Sequence, residues 1–231
     1  AYMIAKMGYR MSQREYFNNP ISEGKVFLKK WFVFKKLPPL KAYKYLVAYL
    51  DPGFKKTATS DSKALVLIGM LNGEFHIRKA WCDKASVEDM IGWCYACDGI
   101  VKANNAAYKL KMEEVFLQSL LYKDFSEAAK KKQYSVPVSG DTRKKPDKDA
   151  RIEGISGYFE RGQVFFDVDS EKDHGMVSLV EQFINFEPGI KTLKDGPDAT
   201  EGAFHILLQS VHNSAGIETG TRAKGKYHIK Q

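Results

Sequence analysis

Residues 64–81 have the sequence ALVLIGMLNGEFHIRKAW, in which two apolar runs flank the pair Asn72-Gly73. The runs contain many of the branched and aromatic side chains that favour β-strands, and Asn-Gly is a strong signal for a two-residue hairpin turn. The pattern predicts antiparallel strands over residues 64–71 and 74–81. A further apolar run at residues 44–50, KYLVAYL, predicts a strand that ends just before Asp51. Three successive strands predict a β-meander.

Helices and strands alternate downstream of the meander. Ser86 and Asp89 form a capping-box pattern, and the apolar residues that follow at helical spacing predict a helix over 87–103. The remaining expectations are strands at 107–112 and 134–138, a helix at 115–132, an exposed basic loop at 139–151 leading into a short helix, a hairpin at 157–167 around Gly162, and helices at 175–186 and 199–211. This order predicts an α/β fold with a mixed sheet, three antiparallel strands followed by parallel strands, flanked by helices.

The composition excludes several classes of protein. The longest apolar run stops at Asn72-Gly73-Glu74, well short of the roughly 20 residues that a membrane span needs. The first residues carry charges without a continuous apolar segment, so we expect no secretory signal and a cytoplasmic location. Three cysteines in 231 residues are too few for a disulfide framework. The net charge of +8 favours a polyanionic partner such as DNA.

Acidic residues lie where α/β sheets commonly build their sites. Asp51 ends the first predicted strand, Glu113 or Glu114 ends the fourth, and Asp195 and Asp198 precede the last helix. If the first and fourth strands are neighbours, these carboxylates meet at one edge of the sheet, where cations must offset their mutual repulsion. Two Mg²⁺ or Mn²⁺ ions roughly 4 Å apart could then support phosphodiester cleavage.

A structural explanation of the same acids is also open. Asp198 could be only a helix N-cap, and Asp51 could be a turn residue before Pro52-Gly53. Spacing alone does not separate this explanation from a metal site.

The sequence resembles the nuclease domain of the large terminase subunit of tailed bacteriophages. The resemblance runs from about residue 14 to residue 208. It is carried by the segments REYFNNPISEGKVF (14–27), YLDPGF (49–54), KLKMEEVFLQSLL (109–121), DKDARIEGISGYFERGQVFF (147–166) and KDGPDATEGAF (194–204). It implies an RNase H-like fold and an endonuclease that cuts concatemeric viral DNA during genome packaging.

The resemblance also implies roles for individual residues. Asp51 takes the first-strand position among the metal-binding acids, and Glu113 takes the second, with Glu114 as the alternative. Asp198 is the favoured ligand of the third position, and Asp195 lies beside it. All four would be catalytic and would bind two divalent ions, Mg²⁺ or Mn²⁺.

A full-length terminase of this family also contains an ATPase. The sequence holds no G-x-x-x-x-G-K-[ST] motif, so we expect no ATPase activity from this chain. The resemblance implies that residues 1–40 are a linker or arm from a missing ATPase domain and that 41–215 form the nuclease domain. Residues 216–231 lack periodicity, which predicts a loose basic tail. The implied partners are double-stranded DNA, the ATPase domain of the same protein, the portal and the small terminase subunit. The implied location is the cytoplasm of an infected or lysogenic bacterium, with no membrane contact.

Basic residues between positions 143 and 161 are candidates for contacts with DNA phosphates. Such contacts would be independent of sequence and sensitive to salt. The alternative is a solvated loop, because Asp141, Asp147 and Asp149 dilute the positive charge. The candidates are Arg143, Lys144, Lys145, Lys148, Arg151 and Arg161.

Two further patterns carry weaker signals. Cys94-x-x-Cys97, with Cys82 upstream, lacks a second pair at zinc-site spacing, so we expect buried core cysteines. His174 and His205 are possible proton-transfer groups without predicted neighbours. The main alternative to a nuclease is a catalytically silent DNA-binding or portal-docking module on the same fold, and metal-dependent cleavage separates the two.

Overall fold

The computed structural model describes residues 26–53, 62–118 and 122–218. Within these ranges the strands are Val33–Lys35 (β1), Tyr45–Asp51 (β2), Ser62–Leu71 (β3), Glu74–Lys84 (β4), Lys109–Glu113 (β5), Val138–Asp141 (β6) and Val164–Asp167 (β7). Strands β2, β3 and β4 pair antiparallel, which confirms the meander. Asn72 and Gly73 have φ values of 52° and 80°, as a two-residue turn between right-twisted strands requires.

The strands form a mixed sheet in the order β1-β7-β4-β3-β2-β5-β6. The antiparallel meander occupies its centre. Strands β5 and β6 extend it in parallel beyond β2, and β7 and β1 extend it in parallel beyond β4. The predicted sheet class is therefore confirmed. Because β2 and β5 are parallel neighbours, their carboxyl ends lie at the same edge of the sheet.

Helices cover both faces of this sheet. They are Val87–Ala103 (α1), Glu114–Phe116 (α2), Tyr122–Lys132 (α3), Lys148–Gly154 (α4), Ser156–Glu160 (α5), His174–Ile184 (α6) and Asp195–Glu218 (α7), with 3₁₀ turns at Lys29–Trp31, Leu40–Ala42 and Val168–Ser170. Helix α1 has the predicted bounds, and its capping box is present: the Asp89 amide donates to the Ser86 hydroxyl, and the Asp89 carboxylate accepts from the Ser86 amide.

Alternation along β2 explains why the sheet is buried on both sides. Val47 and Tyr49 contribute to the core beneath α6 and α7, whereas Leu46, Ala48 and Leu50 contribute to the core beneath α1. Successive side chains of a strand point to opposite faces, so an uninterrupted apolar strand needs a cover on each. The long helix α7 packs across β2 and β3, which places its first turn near the carboxyl end of β2.

Three sequence-based expectations are wrong in position or type. The strand expected at 134–138 begins only at Val138, because Pro137 has no amide hydrogen to enter the ladder. Its last residues are therefore part of what was expected to be an exposed loop at 139–151. The hairpin expected at 157–167 is instead helix α5 followed by strand β7.

Gly162 explains the error at the expected hairpin. Its φ of 66° ends a helix, since the amides of Gly162 and Gln163 donate to the carbonyls of Phe159 and Tyr158. The turn was predicted at the right residue, but it joins a helix to a strand. Strand β7 then pairs in parallel with β1 and β4.

The other helix predictions differ in extent. The helix expected at 115–132 is described as α2 and α3, and residues 119–121 lie outside the described ranges. The last helix is longer than expected, running from Asp195 to Glu218. Of the predicted arm, residues 1–25 lie outside the described ranges, while Val26 and Phe27 are buried in the core and Val33–Lys35 forms an edge strand. Of the predicted tail, residues 219–231 lie outside them.

Among the helices within the described ranges, none has the length and apolar character that crossing a bilayer requires.

Candidate functional site

The carboxyl ends of three parallel strands bring acidic residues to one edge of the sheet. Leu50 pairs with Met112, which sets Asp51 beside Glu113, and Glu113 pairs with Asp141 at the end of β6. Strands β2 and β5 are therefore neighbours, as the sequence-based prediction of an acidic cluster required. Asp51 is fixed in part by the Gly53 amide, which donates to Asp51 Oδ1 over 3.1 Å.

The first turn of α7 contributes two more acids to the same place. Asp195 begins the helix, and Asp198 follows one turn later with its amide bonded to the Lys194 carbonyl at 3.0 Å. Gly196 lets this turn approach the sheet closely, because a Cβ there would lie 2.7 Å from both Cys82 Sγ and Leu179 Cδ1. The helix start is thus held against β4 and α6.

The three aspartates converge on a single cation, the ammonium group of Lys148 at the start of α4. Its Nζ lies 3.0 Å from Asp51 Oδ2, 3.3 Å from Asp195 Oδ1 and 3.1 Å from Asp198 Oδ2. We call Asp51, Asp195 and Asp198 the groove triad. The triad residues line an open groove of about 600 Å³, and the loop of residues 189–194 forms its other wall.

Burial and mutual repulsion govern the ionisation of the triad. Burial raises the pKa of Asp51 to about 6, and the neighbouring carboxylates add to this effect against the opposing charge of Lys148. Burial also acts to raise the pKa of Asp198, but Lys148 and Arg151 outweigh it and the net shift is downward. Burial would lower the pKa of Lys148, yet the three aspartates outweigh it and the pKa is raised. Lys148 therefore keeps its positive charge at neutral pH.

Glu113 lines the same groove, and Glu114 does not. Glu113 Oε2 lies 3.3 Å from the Nζ of Lys145, another residue of the groove wall. The Glu114 carboxylate accepts from Gln118 and lies over Gly140, where a Cβ would collide with it. Of the two glutamates that the sequence left open, Glu113 has the position that faces the triad's groove.

A second set of charged residues lies beneath the triad. Arg143 donates to both carboxylate oxygens of Glu201, at 2.8 and 2.6 Å, and Arg151 contacts Glu201 while donating to Asp198 Oδ1 at 2.6 Å. Arg143 Nε also lies 3.3 Å from Asp141 Oδ2, which accepts from the Tyr49 hydroxyl at 2.8 Å. We call Arg143, Arg151, Glu201 and Asp141 the arginine cluster.

Sequence reasoning missed Glu201 and Asp141. Glu201 follows Asp198 by three residues and so shares its helix face, a spacing that the sequence displays. Asp141 was placed in an exposed loop because the strand before it was set too early, yet it is buried.

The six basic residues proposed as DNA contacts occupy different environments. Only 14% of the Arg143 side chain and 7% of the Arg151 side chain are exposed. Lys145 and Lys148 line the groove, whereas Lys144 is exposed and is not among the lining residues. Arg161 lies apart from the groove, where its guanidinium covers the Tyr158 ring at 5.0 Å and donates to Gln163.

The donor set of the triad fits a hard divalent cation. Carboxylate oxygens are the ligands that Mg²⁺ and Mn²⁺ prefer, and three of them already surround one positive charge. The separations of 3.0 to 3.3 Å are those of ammonium pairs, longer than the roughly 2.1 Å of a magnesium ligand. Consistent with this, no group of three or more His, Cys, Asp or Glu side chains in the described ranges is already arranged around a metal position. The ligand types therefore fit such an ion, and the Lys148 ammonium lies between them.

None of the cysteines or histidines in the described ranges lines the groove. Cys82, Cys94 and Cys97 are buried, as expected, and burial raises the pKa of each thiol. His174 is exposed and pairs with Asp83 at 3.1 Å. His205 lies on α7, and burial followed by the charge of Arg143 lowers its pKa.

Comparison with known proteins gives matches by structure. No protein-family model matches the chain, and no curated protein sequence matches it. The large terminase of a thermophilic bacteriophage superposes with a TM-score of 0.57 at 14% identity, covering 90% of this chain and 51% of that one. This chain thus spans about half of that terminase.

Two isolated nuclease domains match over most of their own length. The nuclease domain of the P22 large terminase superposes with a TM-score of 0.53 at 13% identity, covering 82% of this chain and 94% of that one. The manganese-soaked nuclease domain of human cytomegalovirus terminase gives 0.54 at 16% identity, covering 78% and 94%. The chain therefore has the RNase H-like fold of terminase nuclease domains, as the sequence resemblance implied.

Proposed function

We propose that this chain is the nuclease domain of a terminase large subunit, a metal-dependent endonuclease that cuts concatemeric viral DNA during genome packaging. The observation that carries the proposal is the convergence of the Asp51, Asp195 and Asp198 carboxylates on one cation position. This convergence occurs within the fold of terminase nuclease domains. Separate structural roles for these acids, as turn residue and helix cap, would not require their carboxylates to meet.

Each acid has a proposed role in the reaction. Asp51, Asp198 and Glu113 would hold two divalent ions, Mg²⁺ or Mn²⁺, with Asp195 assisting. When bound, such ions activate water and stabilise the leaving oxygen of a phosphodiester. The protein's own contribution is to hold the ligands at the ends of β2, β5 and the start of α7, three elements fixed by the sheet and its packing. The manganese soak of the cytomegalovirus domain supports a divalent ion in this fold.

The groove also suggests how DNA is held. It is open to solvent and is lined by Lys145, and the exposed Lys144 precedes Lys145 in the chain; both lysines would contact phosphates without reading sequence. The buried Arg143 and Arg151 are proposed to act indirectly, by positioning Asp198 through Glu201. An ATPase domain of the same protein, the portal and the small terminase subunit are the proposed partners, in the cytoplasm of an infected or lysogenic bacterium.

Plasmid cleavage tests the proposal. Purified protein is incubated with supercoiled plasmid and Mn²⁺ or Mg²⁺, beside an EDTA control. We expect nicked and linear products that depend on the metal. Asp51→Asn should lower the cleavage rate by at least about 100-fold, because loss of a ligand should exceed the 10- to 100-fold cost of disturbing residues around a metal site.

Asp83→Asn is the matched control, since Asp83 is an exposed aspartate at the end of β4 that lies outside the groove lining. It should cleave like the wild type. A folded wild-type protein that binds plasmid but does not cut it with either ion would overturn the nuclease proposal in favour of a DNA-binding or portal-docking module.

A further inference from the structure

Lys148 occupies the position at which the triad carboxylates meet. Its Nζ lies within 3.3 Å of one oxygen from each of Asp51, Asp195 and Asp198. The ammonium is thus the shared counter-ion of three carboxylates that would otherwise repel one another in a largely buried setting. A divalent ion shared by the same oxygens would have to take this position.

We propose that Lys148 is an internal substitute for the metal, which holds the triad together in the metal-free protein and leaves when a divalent ion binds. The inference rests on the proposed function, because it takes the triad as the ion's ligands. Its consequence is a threshold: the chain binds metal, and so becomes competent to cut, only where the ion outcompetes a tethered ammonium.

The surroundings of Lys148 allow it to leave. Its side chain is 31% exposed and lines the groove of about 600 Å³, so there is space beside it. Lysine carries a point charge on a flexible four-carbon stem, whereas arginine holds its partners through a rigid fork. Arg151, one turn later on the same helix, is 7% exposed and holds both Asp198 and Glu201. One helix thus carries a replaceable cation and a fixed one.

Chemical labelling of the wild-type protein tests the displacement directly. An N-hydroxysuccinimide ester acetylates amines that are exposed and free of ion pairs, and mass spectrometry reads each lysine separately. Lys194 is the internal reference, because it lines the same groove but pairs with Asp149. We expect saturating Mn²⁺ to increase labelling of Lys148 several-fold and to leave Lys194 unchanged. Equal or lower labelling of Lys148 in protein shown by calorimetry to hold Mn²⁺ would overturn the proposal.

Calorimetric titration with Mn²⁺ supplies a second readout that needs no activity. Lys148→Met keeps the length of the side chain and removes its charge, so the dissociation constant for Mn²⁺ should fall by about tenfold or more. Lys194→Met removes the same charge from the same groove and should change the dissociation constant for Mn²⁺ much less.

The outcomes separate this inference from the proposed function. Tighter binding by Lys148→Met, including binding seen in that variant alone, supports the displacement. Equal affinities for wild type and Lys148→Met overturn it and leave the metal-dependent nuclease standing. No Mn²⁺ binding by either protein overturns both.

Discussion

The groove triad and the arginine cluster are adjacent sets of buried charges that are held in different ways. In the triad, three carboxylates share one lysine, which is partly exposed beside an open groove. In the arginine cluster, two largely buried guanidinium groups both contact the Glu201 carboxylate. The contrast indicates different roles: the arginine cluster stays fixed, and the groove triad can exchange its cation.

Arg151 connects the two sets. It donates to Asp198 in the triad and also contacts Glu201 in the arginine cluster. Asp198 therefore keeps one fixed partner when Lys148 moves. This arrangement explains why burial fails to raise the Asp198 pKa while it does raise that of Asp51, whose ion-pair partner in the described ranges is Lys148.

The largest expected effect on the free energy of unfolding comes from disrupting the arginine cluster. Glu201→Gln removes the carboxylate that Arg143 and Arg151 share. Removing one partner of a buried ion pair costs about 3–5 kcal/mol, and we expect the lower end of that range because Arg143 keeps Asp141 and Arg151 keeps Asp198. Urea unfolding of the metal-free variant measures the loss. Glu181→Gln, an exposed glutamate on α6, is the control and should stay within about 0.5 kcal/mol of wild type.

A small loss for Glu201→Gln, comparable with the Glu181 control, would show that the arginine cluster is not the fixed set. The arginine cluster would then be no more fixed than the groove triad, and the contrast between them would not hold.

The ionisation of Asp51 gives the next effect. A carboxyl whose pKa is higher in the folded than in the unfolded protein contributes stability at low pH that is lost as the pH rises between the two values. For Asp51 this window runs from about 4, the unfolded value, to about 6. The free energy of unfolding of wild type, relative to Asp51→Asn, should therefore fall by about 2 kcal/mol across the window.

Urea unfolding from pH 4 to pH 7 in metal-free buffer measures this difference. The downward pKa shift of Asp198 acts below about pH 4 and leaves the window clear. A difference that stays constant or grows with pH would mean that Lys148 stabilises the Asp51 carboxylate more than burial opposes it.

The strand ends of this fold could be predicted from sequence, but the side-chain contacts between elements distant in the chain could not. Apolar runs and turn signals mark where β2, β5 and α7 begin or end, and they predict the positions of Asp51, Glu113, Asp195 and Asp198. Lys148 was assigned to an exposed basic loop, since no local pattern shows that α4 folds back onto β2. Charge composition thus predicts a DNA contact at a residue whose ammonium group pairs with the three triad carboxylates.

Other differences come from single residues with local effects. Because of Pro137, β6 begins later in the chain than predicted. Its last residue is therefore Asp141, which pairs with Glu113 in the sheet and which the sequence assigns to a loop. Gly162 was recognised as a turn, but a glycine with positive φ ends helices as well as hairpins, and the sequence around it satisfied both. Tertiary packing of Phe159 into the aromatic core favoured the helix.

A smaller effect is expected where the arginine cluster meets the sheet. The buried Tyr49 hydroxyl donates to Asp141, and burial raises its pKa far above the accessible range, so it remains a neutral donor. Tyr49→Phe removes one hydrogen bond to a charged acceptor and should cost about 1.5–3 kcal/mol at neutral pH, near the lower end because Arg143 still pairs with Asp141. Tyr108→Phe, which loses a hydroxyl bond to Asp98, provides a comparison outside the site.

The smallest effect on stability is expected at Lys144, which precedes groove-lining Lys145 in the chain. Lys144 is exposed, so Lys144→Ala should leave the urea midpoint unchanged and act only on DNA. In an Asp51→Asn background, which prevents cutting, the slope of log affinity against log salt should decrease in magnitude by about 1, as expected for the loss of one phosphate contact. Lys172→Ala, an exposed lysine just before α6 with no groove-lining neighbour in the chain, is the matched control. If both variants keep the wild-type slope, DNA does not pass Lys144. The DNA would then reach Lys148 and the groove triad from the side of the loop of residues 189–194.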